Sequence, residues 1–509
     1  VIRGPVSSVY GTNAFFGIVN IVTRGATETP RAWGRVSGST FGGSAAAGFA
    51  MGDVDHQLRG SVAAQGRFGE ELSVPELGTV DQDRASTVAA SLVGAYEGLF
   101  AQARFYRRVR TLPFAPYDTV IDSPENTASD TLVMIEGGYT RELSSRLTAT
   151  VRGYASAYRY RDRLLLDDGS GTFTDIGDSR WAGAEARGRY AVLDGDRLGV
   201  TAGAEVTVIS TESEAFYYSD PEGAVVVPTS FNLQGLYAEV DAQPLSWLAL
   251  TAGVRADRNS LLDDRVSPRA ALFASRERFG AKLLYAEGFR NPSAYEGFFD
   301  DGIDFAANPE IGAETIRSFE AVLWARPRPG LTTRLSGFRW AADRLVEQDT
   351  VMIEGEERLQ FDNRGELSST GVELELSYRD ADGWMAFGGA MVARVEDGDS
   401  VRAVGAPVWT AGGGVSSPLV ASKFHVSSEA EAIGGRTTRV DGVNAAAYVL
   451  WNLTVYAPKL AGFDLTAGVR NLLGTREEVP APEDYDRDDV IPILPGEGRE
   501  FYARLGYRY

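Results

Sequence analysis

Apolar and polar residues alternate with period two over unusually long stretches of this chain. Across residues 146–160, Leu147, Ala149, Val151, Ala155 and Ala157 hold the odd positions, while Thr148, Thr150, Arg152, Tyr154, Ser156 and Tyr158 hold the even ones. Leu248, Leu250, Ala252 and Val254 alternate with Ala249, Thr251, Gly253 and Arg255, and Val372, Leu374, Leu376 and Tyr378 with Glu373, Glu375, Ser377 and Arg379. Successive side chains of a strand point to opposite faces, so each stretch reads as a long strand with one apolar and one polar face. Strands of soluble sheets are usually about five or six residues long. These are too long and too numerous for a sandwich.

The connections add a second pattern. Short turns such as Glu97-Gly98, 142–145, 243–246, 327–330 and 458–462 take turns with longer polar segments, at 67–85, 110–130, 161–178, 212–230, 290–313, 351–357, 435–444 and 475–499. An antiparallel transmembrane barrel gives this alternation when turns lie on one membrane side and loops on the other. Treating 358–379 as one strand despite Gly365 brings the count to 22 strands. The expected fold is therefore all-β, a 22-stranded antiparallel transmembrane β-barrel. Barrels of this width carry a plug in the lumen. The first 24 residues, VIRGPVSSVYGTNAFFGIVNIVTR, are punctuated by Gly4-Pro5, Tyr10-Gly11 and Gly17 and read as the tail of such a plug. The division expected is 1–28 for the C-terminal segment of the plug and 29–509 for the barrel.

Composition narrows the functional classes. The chain has 509 residues, a formal charge of −20, no cysteine and only two histidines. The acidic excess argues against a nucleic-acid partner, which needs a basic footprint. Without cysteine there is neither a disulfide framework nor thiol chemistry. No run of 18 apolar residues exists, which speaks only about transmembrane helices. His56 and His425 are too far apart to read as a metal motif and are expected to be structural or lumen residues. No P-loop or nucleophile elbow occurs. Gly412-Gly413-Gly414 lies within a strand pattern with no helix after it, so it is no phosphate cradle. The chain is read as a non-enzyme without a cofactor.

Five motifs, in order along the chain, carry a family resemblance. They are Arg3-Gly4-Pro5 through Tyr10-Gly11, Asn13-Ala14, Gly17 and Asn20-Ile21; Gly288-Phe289-Arg290-Asn291-Pro292-Ser293 with Tyr295-Glu296; Asn308-Pro309-Glu310 with Glu314-Thr315, Ser318 and Glu320; Asn363 with Gly371-Val372-Glu373; and Val469-Arg470-Asn471-Leu472-Leu473 with Pro495-Gly496 and the final strand to Tyr509. Together they resemble the TonB-dependent outer-membrane receptor family. The resemblance implies location in the outer membrane of a Gram-negative bacterium and uptake of a scarce, bulky ligand such as a ferric siderophore or cobalamin. It implies energy from a TonB-type coupling complex, contact with outer-membrane lipid and a monomeric state. The family's plug is longer upstream, so the chain reads as a fragment or a late-starting gene. A passive channel or adhesion surface is the alternative, and a soluble all-β enzyme a distant third.

Candidate site residues follow. By strand parity Glu320 and Glu373 face the lumen, where Arg3 of the plug tail could form a guanidinium–carboxylate lock between them. Loop residues Phe216, Tyr217, Tyr218, Phe298, Phe299, Asp300 and Asp301 mix rings with acids and suit an apolar or cationic ligand. Asp484, Asp486 and Asp488 have oxygen-ligand character for Ca²⁺ but lack the EF-hand spacing. Trp33, Tyr96, Trp451 and Tyr507 are expected at membrane interfaces. The acidic loops argue against an anionic ferric complex held by charge alone, leaving neutral, cationic or Ca²⁺-bridged recognition open.

Overall fold

Alternating side chains can satisfy two solvents at once only if the sheet has no edge, because an unpaired strand in hydrocarbon would leave its backbone polar groups without partners. In a computed structural model the chain meets this condition with a closed antiparallel barrel of 22 strands. The structure describes residues 2–5, 7–75, 77–114, 116–193, 195, 197–217, 224–300, 305–421, 423–482 and 491–509. The side chains of residues 2, 3, 9, 10 and 217 also fall outside that description.

The first barrel strands are β1 (Ala32–Ser39), β2 (Gly42–Gly52), β3 (His56–Arg67), β4 (Ala85–Tyr96), β5 (Leu99–Thr111), β6 (Thr127–Ser144) and β7 (Leu147–Leu165). Next come β8 (Thr172–Leu193), β9 (Leu198–Tyr217), β10 (Val225–Leu245), β11 (Leu248–Asn259), β12 (Arg265–Ser275), β13 (Phe279–Arg290) and β14 (Glu314–Arg328). The last are β15 (Leu331–Ile353), β16 (Glu356–Arg379), β17 (Met385–Asp397), β18 (Trp409–Ser416), β19 (His425–Ile433), β20 (Tyr448–Leu460), β21 (Phe463–Arg470) and β22 (Glu500–Arg508). Each pairs with its sequence neighbour. Closure comes from β22, which pairs with β21 (Ala467↔Ala503) and with β1 (Val36↔Leu505).

Lengths depart from the sequence expectation in an informative way. About 9–11 residues suffice to cross a bilayer, yet β16 has 24 residues and β15 has 23. Segments 161–178, 212–230 and 351–357, expected as loops, are largely strand: the hairpins β7–β8, β9–β10 and β15–β16 continue well past a membrane's thickness. There both faces meet water and the apolar alternation lapses. On the same membrane side, Thr40-Phe41 and residues 260–264 make connections short enough to resemble the turns of the opposite rim.

The outer face is apolar and unburied. Val208, Leu236, Phe319, Leu323, Val372 and Val392 stand exposed on it. In water so wide an apolar surface would be an aggregation liability, whereas in lipid it is the solvent-matched face. Tyr96, Trp451 and Tyr507 lie on this face. Trp33 does not: it shares the inward face of β1 with Arg35 and Ser37, its ring close over Gly48. That corrects its assignment to a membrane interface. Glycines serve the same wall by letting rings lie flat across neighbouring strands. A Cβ at Gly371 would come within 2.5 Å of the Phe338 ring, and one at Gly203 within 2.4 Å of Tyr237.

Candidate functional site

The stretch from Gly4 to Ile18 is held against one sector of the inner wall. Ile2–Arg3 pairs antiparallel with Gly17–Ile18, making a small loop whose neck is closed by Gly4 N–H donating to Phe16 O at 3.1 Å. Gly4 and Gly11 have φ of +77° and +74°, values that glycine reaches without strain. Between them Ser7–Tyr10 forms a single helical turn, α1.

Three hydrogen bonds fasten this turn and the two residues Thr12 and Asn13 to the C-terminal end of β13 and to Asn291 just beyond it. Phe289 N–H donates to Ser7 Oγ at 3.1 Å, Asn13 N–H donates to Phe289 O at 3.1 Å, and Asn291 N–H donates to Thr12 Oγ1 at 3.0 Å. Ser7 and Phe289 are both buried, which raises the cost of losing any of these bonds. The approach requires Gly288, where a Cβ would meet Pro5 Cβ at 2.8 Å and Ser7 Oγ at 3.0 Å. Apolar packing adds to the latch. Phe15 is buried against Ile316 and Ala342, with Trp340 and Leu345 beside it, and Phe16 meets Trp340 edge-on at 5.5 Å. Gly11 rests on Arg255, itself buried and paired with Asp257 (2.8 Å) and Glu205 (3.2 Å).

Arg290, between the two backbone anchors, turns the other way. Its guanidinium takes Glu314 through Nε (2.5 Å) and Nη2 (2.7 Å), and Glu296 through Nη1 (2.9 Å) and Nη2 (3.0 Å). Glu314 also accepts from Val346 N–H at 2.8 Å. Glu296 closes a capping box with Ser293 at the start of α2 (Ala294–Phe298). Burial pushes the Glu296 carboxyl up, but Arg290 and the Ser293 N–H outweigh it and hold it below the usual glutamate value. Further along the same loop, Gly312 N–H donates to Asn363 Oδ1 at 2.5 Å, and Asn363 Nδ2 returns to Gly312 O at 2.9 Å. Asn308 Nδ2 donates to Phe361 O at 2.9 Å. The second, third and fourth sequence motifs thus converge on one clamp at the root of the loop between β13 and β14.

The clamp presents an aromatic cluster. Tyr295 stacks on Phe299 at 4.9 Å, and Phe305 and Phe361 stand 6.1 and 5.9 Å from Tyr295. Phe299 is buried inside the cluster, whereas Tyr295 is 40% exposed and offers the accessible ring. Phe298 is half-buried on α2. Asp300 is exposed, accepts from Ala307 N–H and lies 3.8 Å from Arg358. Phe216 is the penultimate residue of β9, the strand next to β10, against which α2 packs. Tyr295, Phe361 and the clamp carboxylates were missed as site residues in the sequence. Tyr295-Glu296 sits inside a motif, which was the available signal, but nothing local announces Phe361.

Glu320 and Glu373 share the inner face on either side of β15: Glu320 stands opposite Phe338, and Glu373 opposite Ser336, two residues away. Gly4 lies against Ser318, two residues from Glu320 on that face. The side chains of Arg3 and Tyr217, and residues Tyr218, Asp301, Asp484, Asp486 and Asp488, lie outside the described residues. Among the described residues no group of three or more metal-ligating side chains occurs. His56 lies beside Asp53 in the turn between β2 and β3, and His425 Nδ1 is 3.0 Å from Ser417 O.

Comparison with known proteins agrees with this architecture. The family described as TonB dependent receptor-like, beta-barrel matches residues 74–472. The vitamin B12 transporter BtuB of Vibrio vulnificus (strain CMCP6) is 24% identical over 334 residues, covering 63% of this chain and 50% of that protein. The chain thus aligns with about half the length of that transporter. Among solved structures, a mutant of the ferric enterobactin receptor PfeA from Pseudomonas aeruginosa superimposes with a TM-score of 0.81 at 17% identity, over 100% of this chain and 84% of that one. The ferric yersiniabactin uptake receptor FyuA from Yersinia pestis gives 0.75 at 16%, with the same coverage. At these identities the structures speak for the fold alone. With the family match spanning most of the barrel, this chain belongs to the TonB-dependent receptors, β-barrels of the Gram-negative outer membrane.

Proposed function

We propose that this chain is the barrel and plug end of an outer-membrane receptor for TonB-dependent active uptake of a scarce, bulky nutrient of the ferric-siderophore or cobalamin class. Residues 1–28 act as the C-terminal segment of the plug and 29–509 as the barrel. The observation that carries the reading is the latch at Gly288–Asn291, where a short segment is held in the lumen by backbone bonds to the strand that also clamps an aromatic extracellular loop. A passive pore has no use for a lumen segment fastened to a ligand-facing loop. The relatives' names point the same way: one transports vitamin B12, and others take up ferric chelates.

In this reading the loops capture ligand, with Tyr295 and the Phe216 and Phe298–Asp300 regions as contacts, and a pull by a TonB-type complex shifts the plug. The receptor works as a monomer in outer-membrane lipid. Arg3, Glu320 and Glu373 add a plug–barrel lock. Growth of a strain carrying the complete gene on single iron or cobalamin sources tests the function. Uptake that is abolished by an uncoupler is the expected result, and uncoupler-insensitive uptake would favour a passive channel. For the lock, reversing both Glu320 and Glu373 to lysine is expected to raise leak conductance; unchanged leak removes it.

A further inference from the structure

The outer wall carries a charge pattern that its apolar belt does not call for. On β7 the outward side chains within residues 149–157 are all uncharged: Ala149, Val151, Gly153, Ala155 and Ala157. A stretch of that length is enough to cross the hydrocarbon layer. Arg159, Arg161 and Arg163 then follow at alternate positions on the same face. They stand toward the long connections, the side that outer-membrane barrels turn outward. These arginines therefore mark the level at which the outer leaflet meets water.

Register widens the patch over four strands. Thr131 of β6 pairs with Arg159 on one side and with Arg107 of β5 on the other. Ser129 pairs with Arg161, and Arg180 of β8 pairs with Ala157, diagonally beside Arg159. Neighbouring strands lie about 4.8 Å apart, so Arg107 and Arg159 flank a trough about 10 Å wide whose floor is hydroxyl-bearing. Arg107, Arg159 and Arg180 are exposed. Beyond the belt, the outward faces of β5, β6 and β7 bear no carboxylate among the described residues. The acid that approaches is Asp178 of β8, 3.7 Å from Arg159, with Glu212 of β9 opposite it. Arg161 Nε is shut off from water and has no acceptor among the described residues. Over β13–β15 the same boundary is balanced: Arg317 stands opposite Glu287 and pairs with Asp343 at 3.0 Å. The excess over β5–β8 also runs against a chain whose formal charge is −20.

Toward the middle of the belt the same strands are hollowed on the lipid side. A groove of about 550 Å³ is lined by Leu92, Ala103, Ile135, Gly137, Gly153 and Ala155. Ala103, Ile135 and Ala155 lie on the strands of Arg107, Thr131 and Arg159, about 13 Å from them at the rise of a β-strand. A Cβ at Gly137 would come no closer than 3.6 Å to any neighbour, and one at Gly153 no closer than 3.7 Å. Packing within the wall therefore does not demand glycine at either place, and the missing side chains leave room on the lipid side.

We infer that the outer face of β5–β8 is a binding site for a phosphate-bearing lipid of the outer leaflet. Its phosphates lie in the trough between Arg107 and Arg159, and an acyl chain follows the groove. Guanidinium groups present paired donors that match phosphate oxygens, and they give up hydration water more readily than ammonium groups do. The hydroxyls of Ser129 and Thr131 add donors on the trough floor. A free anion would have no use for the groove, and a neutral lipid none for the arginines. The site rests on the barrel's place in the outer membrane and not on what the barrel transports. It faces away from the lumen, so the plug does not reach it.

The test is native mass spectrometry of the receptor expressed from its complete gene, purified in a neutral detergent and titrated with bisphosphorylated lipid A. Saturable binding is expected, at least tenfold weaker in Arg107→Gln/Arg159→Gln/Arg161→Gln and largely retained when the three are changed to lysine. Gly137→Leu/Gly153→Leu fills the groove and should weaken binding with the arginines intact. Heat-modifiable gel mobility checks that each barrel is folded. A folded triple-Gln variant that binds as the parent does overturns the site, as does equal binding of lipid A stripped of both phosphates. Displacement of the lipid by an equal concentration of inorganic phosphate would overturn the lipid as occupant. Nutrient uptake is not part of the readout, so failure here leaves the uptake reading standing, and failure of that reading leaves this site standing.

Discussion

Two sectors of the lumen wall, built from the same kind of strand, solve opposite problems. From β11 to β16 inward charges are matched: Arg255 with Glu205 of β9 and with Asp257, Arg290 with Glu296 and Glu314, and Arg334 with Glu375. Residues 7–16 lie there, glycines admit them, and Phe15 is buried on that wall. From β20 through the seam to β5, arginines outnumber acids, small side chains such as Ser61, Ala63 and Ser91 widen the wall, and a cavity remains. A matched wall suits a permanent neighbour, since a buried charge left unpaired would cost several kcal/mol. The lesson is that charge pairing along the barrel interior marks the sector on which residues 7–16 are held.

The contrast can be broken most severely at Gly288. Gly288→Val places methyl groups where Pro5 and Ser7 lie, and is expected to expel the tail. Hydrogen exchange at residues 7–16 should then rise by orders of magnitude while β1 and β22 stay protected. Unchanged protection would mean that the latch is not the holding contact. Next comes Arg290→Ala. It strands Glu296 and the buried Glu314 and should destabilise the loop root by about 3–5 kcal/mol, read as rapid protease cleavage within residues 291–313. Cleavage at the parent rate would refute the clamp.

Acid provides a milder probe of the same clamp. Because Glu296 is held below its usual value, its contribution is present above the unfolded pKa of about 4.3. It is lost as the pH falls through the lower folded value. Protection of α2 amides should therefore decline only below that pH, and Glu296→Gln should remove that component of the decline. The smallest effect is expected over the seam sector, at the partly exposed pair of Arg476 with Glu70 (2.8 Å). Arg476→Ala should cost no more than about 1 kcal/mol by thermal unfolding in detergent. A loss as large as that from Arg290→Ala would erase the distinction between the two sectors.

Much of this was legible in the sequence, for reasons that also mark its limits. Period-two alternation shows wherever one face meets lipid and the other water, so the strand number and the single long β16 could be read directly. Beyond the membrane both faces are wet, which is why the hairpins at 161–178 and 212–230 looked like loops. The latch was visible as motifs because glycine, asparagine and proline carry backbone requirements in their identity. Its partners were not: Arg290 finds Glu314 across a long loop, and Phe361 joins Tyr295 from another strand. The arginine sector was hidden more completely. Arg35, Arg59 and Arg104 sit near one end of the sequence and Arg504 and Arg508 near the other, and only closure of the sheet makes them neighbours.

That closure has a consequence for how the molecule is made. The ladder between β1 and β22 joins the two ends of the chain, Val36 to Leu505, while every other barrel ladder joins strands adjacent in sequence. Local hairpins can zip one after another at modest entropic cost, but the last ladder closes nearly the whole chain into a loop. Until it forms, β1 and β22 each present a bare edge, the feature most prone to pairing with a stranger. Above the seam, Glu70 reaches Arg476 and the Gly498 N–H, and Arg67 pairs with Glu497. These contacts tie the first large loop to the last across the seam, beside the ladder that closes the barrel.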